Sequence, residues 1–402
     1  MRPPHPLNPN LARASAPPII EASRWVQQAE IRNGLPLLNL SQAAPVDPPP
    51  EKMRQAMAEM VLNTPSVHLY GPVLGLGELR LEIAAQWSDL YGGQVTGDQV
   101  AITSGCNEAF CAVLATLAGP GDEVILPVPW YFNHKMALDM GGQVAVPLQT
   151  GLDLVPDPTH AASLITSKTR AIVLISPNNP CGVEYDPEVL SAFRDLARSH
   201  AIALVIDETY RDFHGGDGRP HDLFTDPDWD ETLIHLYSFS KAYRLTGHRV
   251  GAILTSASRL REVEKYLDTV TICPSQLGQM AALWGLRNLR DWLAGEREEV
   301  LSRRGAMTAG FPGHHGWSLL GCGAYFGYVA HPFDASSDTV ARWLVSEAGL
   351  LGLPGTIFRP EGDPRGSREM RLAFANMDGA GIAQVFERLT NLAESGLRPR
   401  DR

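Results

Sequence analysis

Ala203-Leu204-Val205-Ile206-Asp207-Glu208-Thr209-Tyr210 is a short apolar, β-branched run that stops at two carboxylates. A run of this kind reads as a buried strand whose last residues open onto a cleft. Similar runs recur at 100–103, 123–126, 143–147, 171–176, 233–237 and 250–254. Helical patterns fall at 107–118, 133–140, 187–200 and 259–267. Strands alternating with helices predict an α/β fold, a three-layer α/β/α sandwich around a central, mostly parallel seven-stranded sheet. After about residue 290 the pattern changes to a charged helix at 290–304 and short strands near 324–330 and 371–374, which predicts a smaller α+β unit.

A chain of 402 residues exceeds the size at which one core stops growing, so two packed units are expected. The net charge of -11 offers no global attraction to nucleic acid or anionic membranes and favours small-molecule chemistry. Five cysteines, at 106, 111, 181, 273 and 322, form neither a CxxC pair nor a zinc spacing. Neither a disulfide framework nor a metal is expected, and a reducing cytoplasm is the simplest setting. No apolar run reaches membrane-spanning length, and the N-terminus lacks the apolar stretch of a signal peptide. Six prolines in the first 18 residues and a polar tail at 394–402 read as ends that are weakly ordered or draped over the surface.

In doubly wound folds ligands lie beyond the carboxyl ends of the strands. The run at 100–103 leads into Ser104-Gly105-Cys106-Asn107 and then a helix, where glycine admits a ligand and the helix N-terminus offers N–H groups to a phosphate. Such turns also serve as plain helix caps. Asp207 at a strand end needs a cationic partner, and an internal ion pair is the alternative to a functional role. Ser238-Phe239-Ser240-Lys241, with Gly247 and Arg249 following, sets a lysine among hydroxyls beside an arginine. Such an amine can be depressed in pKa and attack a carbonyl, although most lysines are simply solvated. Gly75-Leu76-Gly77 lacks a third glycine and a preceding strand, so a dinucleotide site is rejected. His134, His214 and His248 lie near these segments and read as neutral or solvated.

Tyr70-Gly71, Ser104-Gly105-Cys106-Asn107, Pro177-Asn178-Asn179-Pro180, Asp207-Glu208-Thr209-Tyr210, Ser238-Phe239-Ser240-Lys241, Gly247-His248-Arg249 and Arg371 share the order and spacing of one family. From about Leu38 to Ala375 the chain resembles the fold type I, class I/II pyridoxal 5'-phosphate (PLP) aminotransferases, the aspartate aminotransferase-like family. The resemblance implies a PLP-transferase fold with residues 1–50 as an N-terminal arm and substrate loop packing with the small domain. Residues 51–288 would be the large PLP-binding domain and 289–402 the small C-terminal domain. Lys241 would carry PLP as an internal aldimine, with Asp207 on the pyridine nitrogen and Asn179 and Tyr210 on the phenolic oxygen; Lys241, Asp207 and Tyr210 would form the catalytic set. Tyr131 would stack on the ring. Gly105, Cys106, Asn107, Ser238, Ser240 and Arg249 would hold the phosphate, with Tyr70 reaching across from the second subunit of a homodimer. Arg371 and Asn179 would take the substrate α-carboxylate.

Two departures stand out. Ala43, in Leu40-Ser41-Gln42-Ala43-Ala44-Pro45, replaces the family's usual glycine and adds a methyl group near that carboxylate. Cys181 replaces a common threonine and reads as a buried thiol packing as a small hydrophobe. The implied activity is transfer of an amino group from an amino acid to a 2-oxo acid. A lyase or cyclase similar to 1-aminocyclopropane-1-carboxylate synthase is the alternative, because one fold hosts several reactions. A non-catalytic regulator of the same fold is opposed by the negative charge and by the joint presence of Lys241, Asp207 and Arg371. No second arginine is assignable to a dicarboxylate side chain, and Trp130, Phe132 and Phe358 fit either an apolar substrate or ordinary packing.

Overall fold

The seven apolar runs pair into one sheet in the order Val100–Thr103, Gly251–Leu254, Leu233–Ser238, Ala203–Asp207, Thr169–Ile175, Glu123–Val128 and Val144–Gln149 in the computed structural model, which describes residues 7–400. Every residue of Ala203–Asp207 and Leu233–Ser238 is buried, because helices cover both faces of the sheet. Alternate side chains enter opposite layers: Leu204 and Ile206 join one core, Ala203 and Val205 the other. Helices Cys106–Leu117, Phe132–Gly141, Pro187–Ser199 and Ala257–Val270 match the sequence patterns to within three residues.

One strand breaks the alternation. Gly251–Leu254 runs antiparallel to both neighbours, so Val100–Thr103 points the same way as the parallel strands. The C-terminal unit is an antiparallel four-stranded sheet in the order Leu353–Pro354, Glu369–Ala373, Phe326–Ala330 and Ser318–Gly323. Helices Arg290–Gly310, Ser337–Ala348 and Gly379–Glu394 supply Met307, Leu344 and Val385 to its core. The short strand Leu38–Asn39 pairs in parallel with Leu350–Leu351, and Leu40 O accepts from Ala373 N at 2.8 Å.

Of the two expectations for the N-terminal stretch, weak order or draping over the surface, the described part fits the second. Pro9–Arg13 and Pro18–Gln28 are helices, each with proline at the first helical position, where the missing N–H would have no intrahelical partner anyway. Ala22 is fully buried with Phe132, Tyr328 and Phe358. Residues 1–6 and 401–402, the extremes of the two expected loose ends, lie outside the described residues. Among the described residues no helix is long and apolar enough to cross a membrane, and no three His, Cys, Asp or Glu side chains cluster to hold a metal ion.

Candidate active site

The reversed strand explains how Arg249 reaches the edge where the other strands end. Gly251 pairs with both Thr103 and Ser238, so the residues just before it sit beside the carboxyl ends of those two strands. Arg249 Nη1 donates to Ser240 Oγ at 3.3 Å and to Thr246 O at 3.1 Å. Gly105 has φ +91°, and a Cβ there would lie 2.3 Å from Arg249 Nη2; glycine alone lets the guanidinium close on this turn. Ser238 Oγ accepts from Ser240 N at 3.2 Å, which caps the short helix Phe239–Ala242 carrying Lys241.

A cavity of about 180 Å³ opens here, lined by Cys106, Asn107, Tyr131, Asn179, Asp207, Tyr210, Ser238, Ser240, Lys241 and Arg249. Gly105 stands at its edge under Arg249, while Tyr70 is set apart and 80% exposed. Burial pushes the Asp207 carboxyl up, but hydrogen bonds from His134 and Thr209 outweigh it and hold the group below the usual aspartate value. Thr209 donates twice to Oδ1, from N at 3.0 Å and Oγ1 at 2.7 Å. Lys241 is driven the other way for an amine: burial, then repulsion from Arg249 and Arg371, lowers it to about 8. Burial and the nearby Asp207 also raise the Cys106 thiol and push Tyr131 up to about 12, so both stay protonated at neutral pH.

A second cavity of about 290 Å³ adjoins the first and shares Tyr131, Asn179, Tyr210 and Lys241 with it. Arg371 lines it, fully buried between Phe326 and Phe358, whose ring centres lie 5.0 and 5.2 Å from the guanidinium carbon. Arg371 Nη1 donates to Asn179 Oδ1 at 2.9 Å and Nη2 to Ser41 O, while Nε has no partner. Burial lowers this guanidinium to about 10, leaving it cationic at neutral pH. Ala43 lines the same cavity. Cys181 is buried among apolar side chains instead.

Three contributors escaped the sequence reading. His134, read as near the site but given no role there, is buried rather than solvated: its Nε2 faces Asp207 and its ring stacks on Phe110 at 3.9 Å. Only its place three residues after Tyr131, one turn along a helix, could have signalled this. Thr209 was visible in its motif but carried no assigned role. Pro17, Pro18 and Ile19 wall the second cavity, and nothing in a proline-rich terminus announces that.

Residues 36–389 match the model of the family described as aminotransferase class I and II. The chain is 26% identical to the aspartate aminotransferase of Sulfolobus acidocaldarius, over 93% of this chain and 94% of that one. It is also 26% identical to the methionine aminotransferase of Escherichia coli, over 96% and 99%. A Thermus thermophilus aspartate aminotransferase mutant superposes with a TM-score of 0.87 at 25% identity, covering 96% of this chain and all of that one.

Proposed function

The chain belongs to the class I and II aminotransferase family, and we propose that it works with PLP carried by Lys241. It is an aminotransferase, moving an amino group from an amino acid to a 2-oxo acid. Nothing in its relatives favours the lyase or cyclase alternative. The observation that carries the cofactor reading is the position of Lys241, a depressed amine at the junction of two cavities. One ends in Asp207 and the Gly105–Arg249 cradle, the other in Arg371.

The residues present fit the group. The space that a Cβ at position 105 would fill, facing Arg249, suits a phosphate, and the N-terminus of helix Cys106–Leu117 favours its charge. Cys106, Asn107, Ser238 and Ser240 complete that cradle, with Tyr70 of a second copy reaching in across a homodimer. Asp207, kept ionised, favours a proton on the pyridine nitrogen. Tyr210 and Asn179 would hold the phenolic oxygen, with Tyr131 beside the ring. When bound, the group supplies a ring that accepts the electron pair left as the substrate α-C–H bond breaks.

Arg371, with Asn179, holds the substrate α-carboxylate, and Ala43 crowds it from the loop. Lys241 Nζ, a depressed amine once released from the cofactor, would take the proton from the substrate α-carbon and pass it to the cofactor's reacting carbon, a role worth about 10² to 10⁴ in rate. Residues 1–50 act as arm and substrate loop, 51–288 as the cofactor domain and 289–402 as the small domain. A cytoplasmic setting belongs to this reading, supported by five free cysteines. The test is the visible spectrum and keto acid yield of protein mixed with PLP. An absorbance band lost in Lys241→Ala, together with turnover, supports the assignment; turnover retained by that variant refutes it.

A further inference from the structure

We infer that this enzyme takes amino acids with uncharged, apolar side chains, and that the Pro17-Pro18-Ile19 corner of the N-terminal segment sets this preference. The inference rests on the aminotransferase reading and concerns the second cavity. Pro17, Pro18, Ile19 and Phe132 line it together with Arg371 and Lys241. Among the described residues lining it, Arg371 and Lys241 are the only cations. The first is committed to the α-carboxylate and the second to the cofactor.

Two of the remaining polar side chains are already engaged. Asn133 Nδ2 donates to Tyr131 OH at 2.9 Å, Asn179 accepts from Arg371, and Gln42 sits at the exposed rim. A carboxylate on a substrate side chain would lose its water against proline, isoleucine and phenylalanine without a compensating charge from this chain. A thioether, branched alkyl or phenyl group would instead bury apolar surface there.

The corner is held in place. Ala22, one turn beyond Ile19, is fully buried with Phe132, and Ile19 packs in the same apolar cluster as Tyr131 and Phe132. On one side helix Pro9–Arg13 packs against helix Phe132–Gly141. On the other, Trp25 lies 4.7 Å beneath the guanidinium of Arg342 in the C-terminal unit. The segment therefore spans from the cofactor-side helix to the small sheet's helices, and its middle residues face the substrate space.

Protein reconstituted with PLP is given single amino acids without an acceptor, and keto acid formation is followed by mass spectrometry. Calorimetry compares two unreactive carboxylates, 3-phenylpropanoate and succinate. Methionine, leucine and phenylalanine are expected to exceed aspartate and glutamate by at least about tenfold in kcat/KM, with 3-phenylpropanoate binding tighter than succinate by a similar factor. Ile19→Arg, at a partly exposed position, is expected to shift the aspartate-to-methionine ratio toward aspartate by about tenfold. Wild-type protein that prefers aspartate overturns the substrate class and leaves the aminotransferase reading standing. An unchanged ratio in folded Ile19→Arg overturns the role of the corner. No keto acid from any amino acid overturns both readings.

Discussion

His134 Nε2 lies 3.4 Å from Asp207 Oδ2, with both side chains almost wholly buried. This contact comes from a helix and a strand end far apart in sequence, and it fixes the carboxylate's direction as well as its charge. A carboxyl held below its ordinary value adds stability that is complete above about pH 4 and fades as pH falls through the folded-state value. His134→Ala removes one of the groups depressing Asp207. Its acid unfolding should begin at higher pH than that of the wild type, read as melting temperature between pH 3 and 6. Turnover should fall by about 10- to 100-fold, the scale of losing an orienting partner.

Lys241 has a pH signature of the same sign in a higher window. Its folded-state value, near 8, lies below that of the unfolded amine, so folding penalises the protonated form at neutral pH. The penalty is relieved as pH rises from about 8 to above 10. Cofactor-free Lys241→Met should therefore be more stable than cofactor-free wild type at pH 7, by about 1–3 kcal/mol. The gap should shrink on going to pH 10, which urea unfolding at the two pH values measures.

Arg371 is gripped from two sides and stacked between two rings, and a lysine cannot reproduce its planar fork. Arg371→Lys should raise KM for amino acids by about 10- to 100-fold, the value of a charged hydrogen bond. kcat should change less. A steady-state series with one donor checks the split.

Gly105→Ala would place a methyl group on the Arg249 guanidinium while forcing a positive φ on alanine. PLP affinity of the cofactor-free protein should drop by roughly tenfold or more, since both the cradle's shape and its charge are disturbed. Fluorescence titration with PLP reads this without turnover.

Glu208 sits immediately behind the catalytic strand end, buried, accepting from Tyr91 OH and lying 2.6 Å from His235 Nε2 and 3.4 Å from His221 Nε2. Burial opposes its charge, yet the two histidines pull its carboxyl well below the usual glutamate range. Glu208→Ala leaves these partners unmatched and should cost about 3–5 kcal/mol of stability. Glu208→Gln should cost less, because its side-chain oxygen can still accept; chemical denaturation of the pair decides it.

Most of the large sheet was legible because each strand is a local apolar run and each functional turn follows one directly. Ser104 to Asn107, Asp207 and Ser238 to Lys241 stand where backbone direction alone puts them, at strand ends on one edge. The reversal of Gly251–Leu254 was not legible, since four apolar residues carry no record of which way they will run in a sheet. The partner of His134 was not legible for a related reason: whether an imidazole meets water or a carboxylate depends on what packs above it.

The amino-acid sequence alone determined the α/β class, the set of strands, and the family-like order of reactive residues, because propensity, periodicity and turn chemistry act within a few residues. Tertiary structure alone decided that Arg371 meets Asn179, that Arg249 closes on Gly105, and that a proline-rich terminus becomes a wall of the second cavity. Those encounters join side chains distant in the chain, and their geometry exists only after the sheet has closed and both units have packed around it.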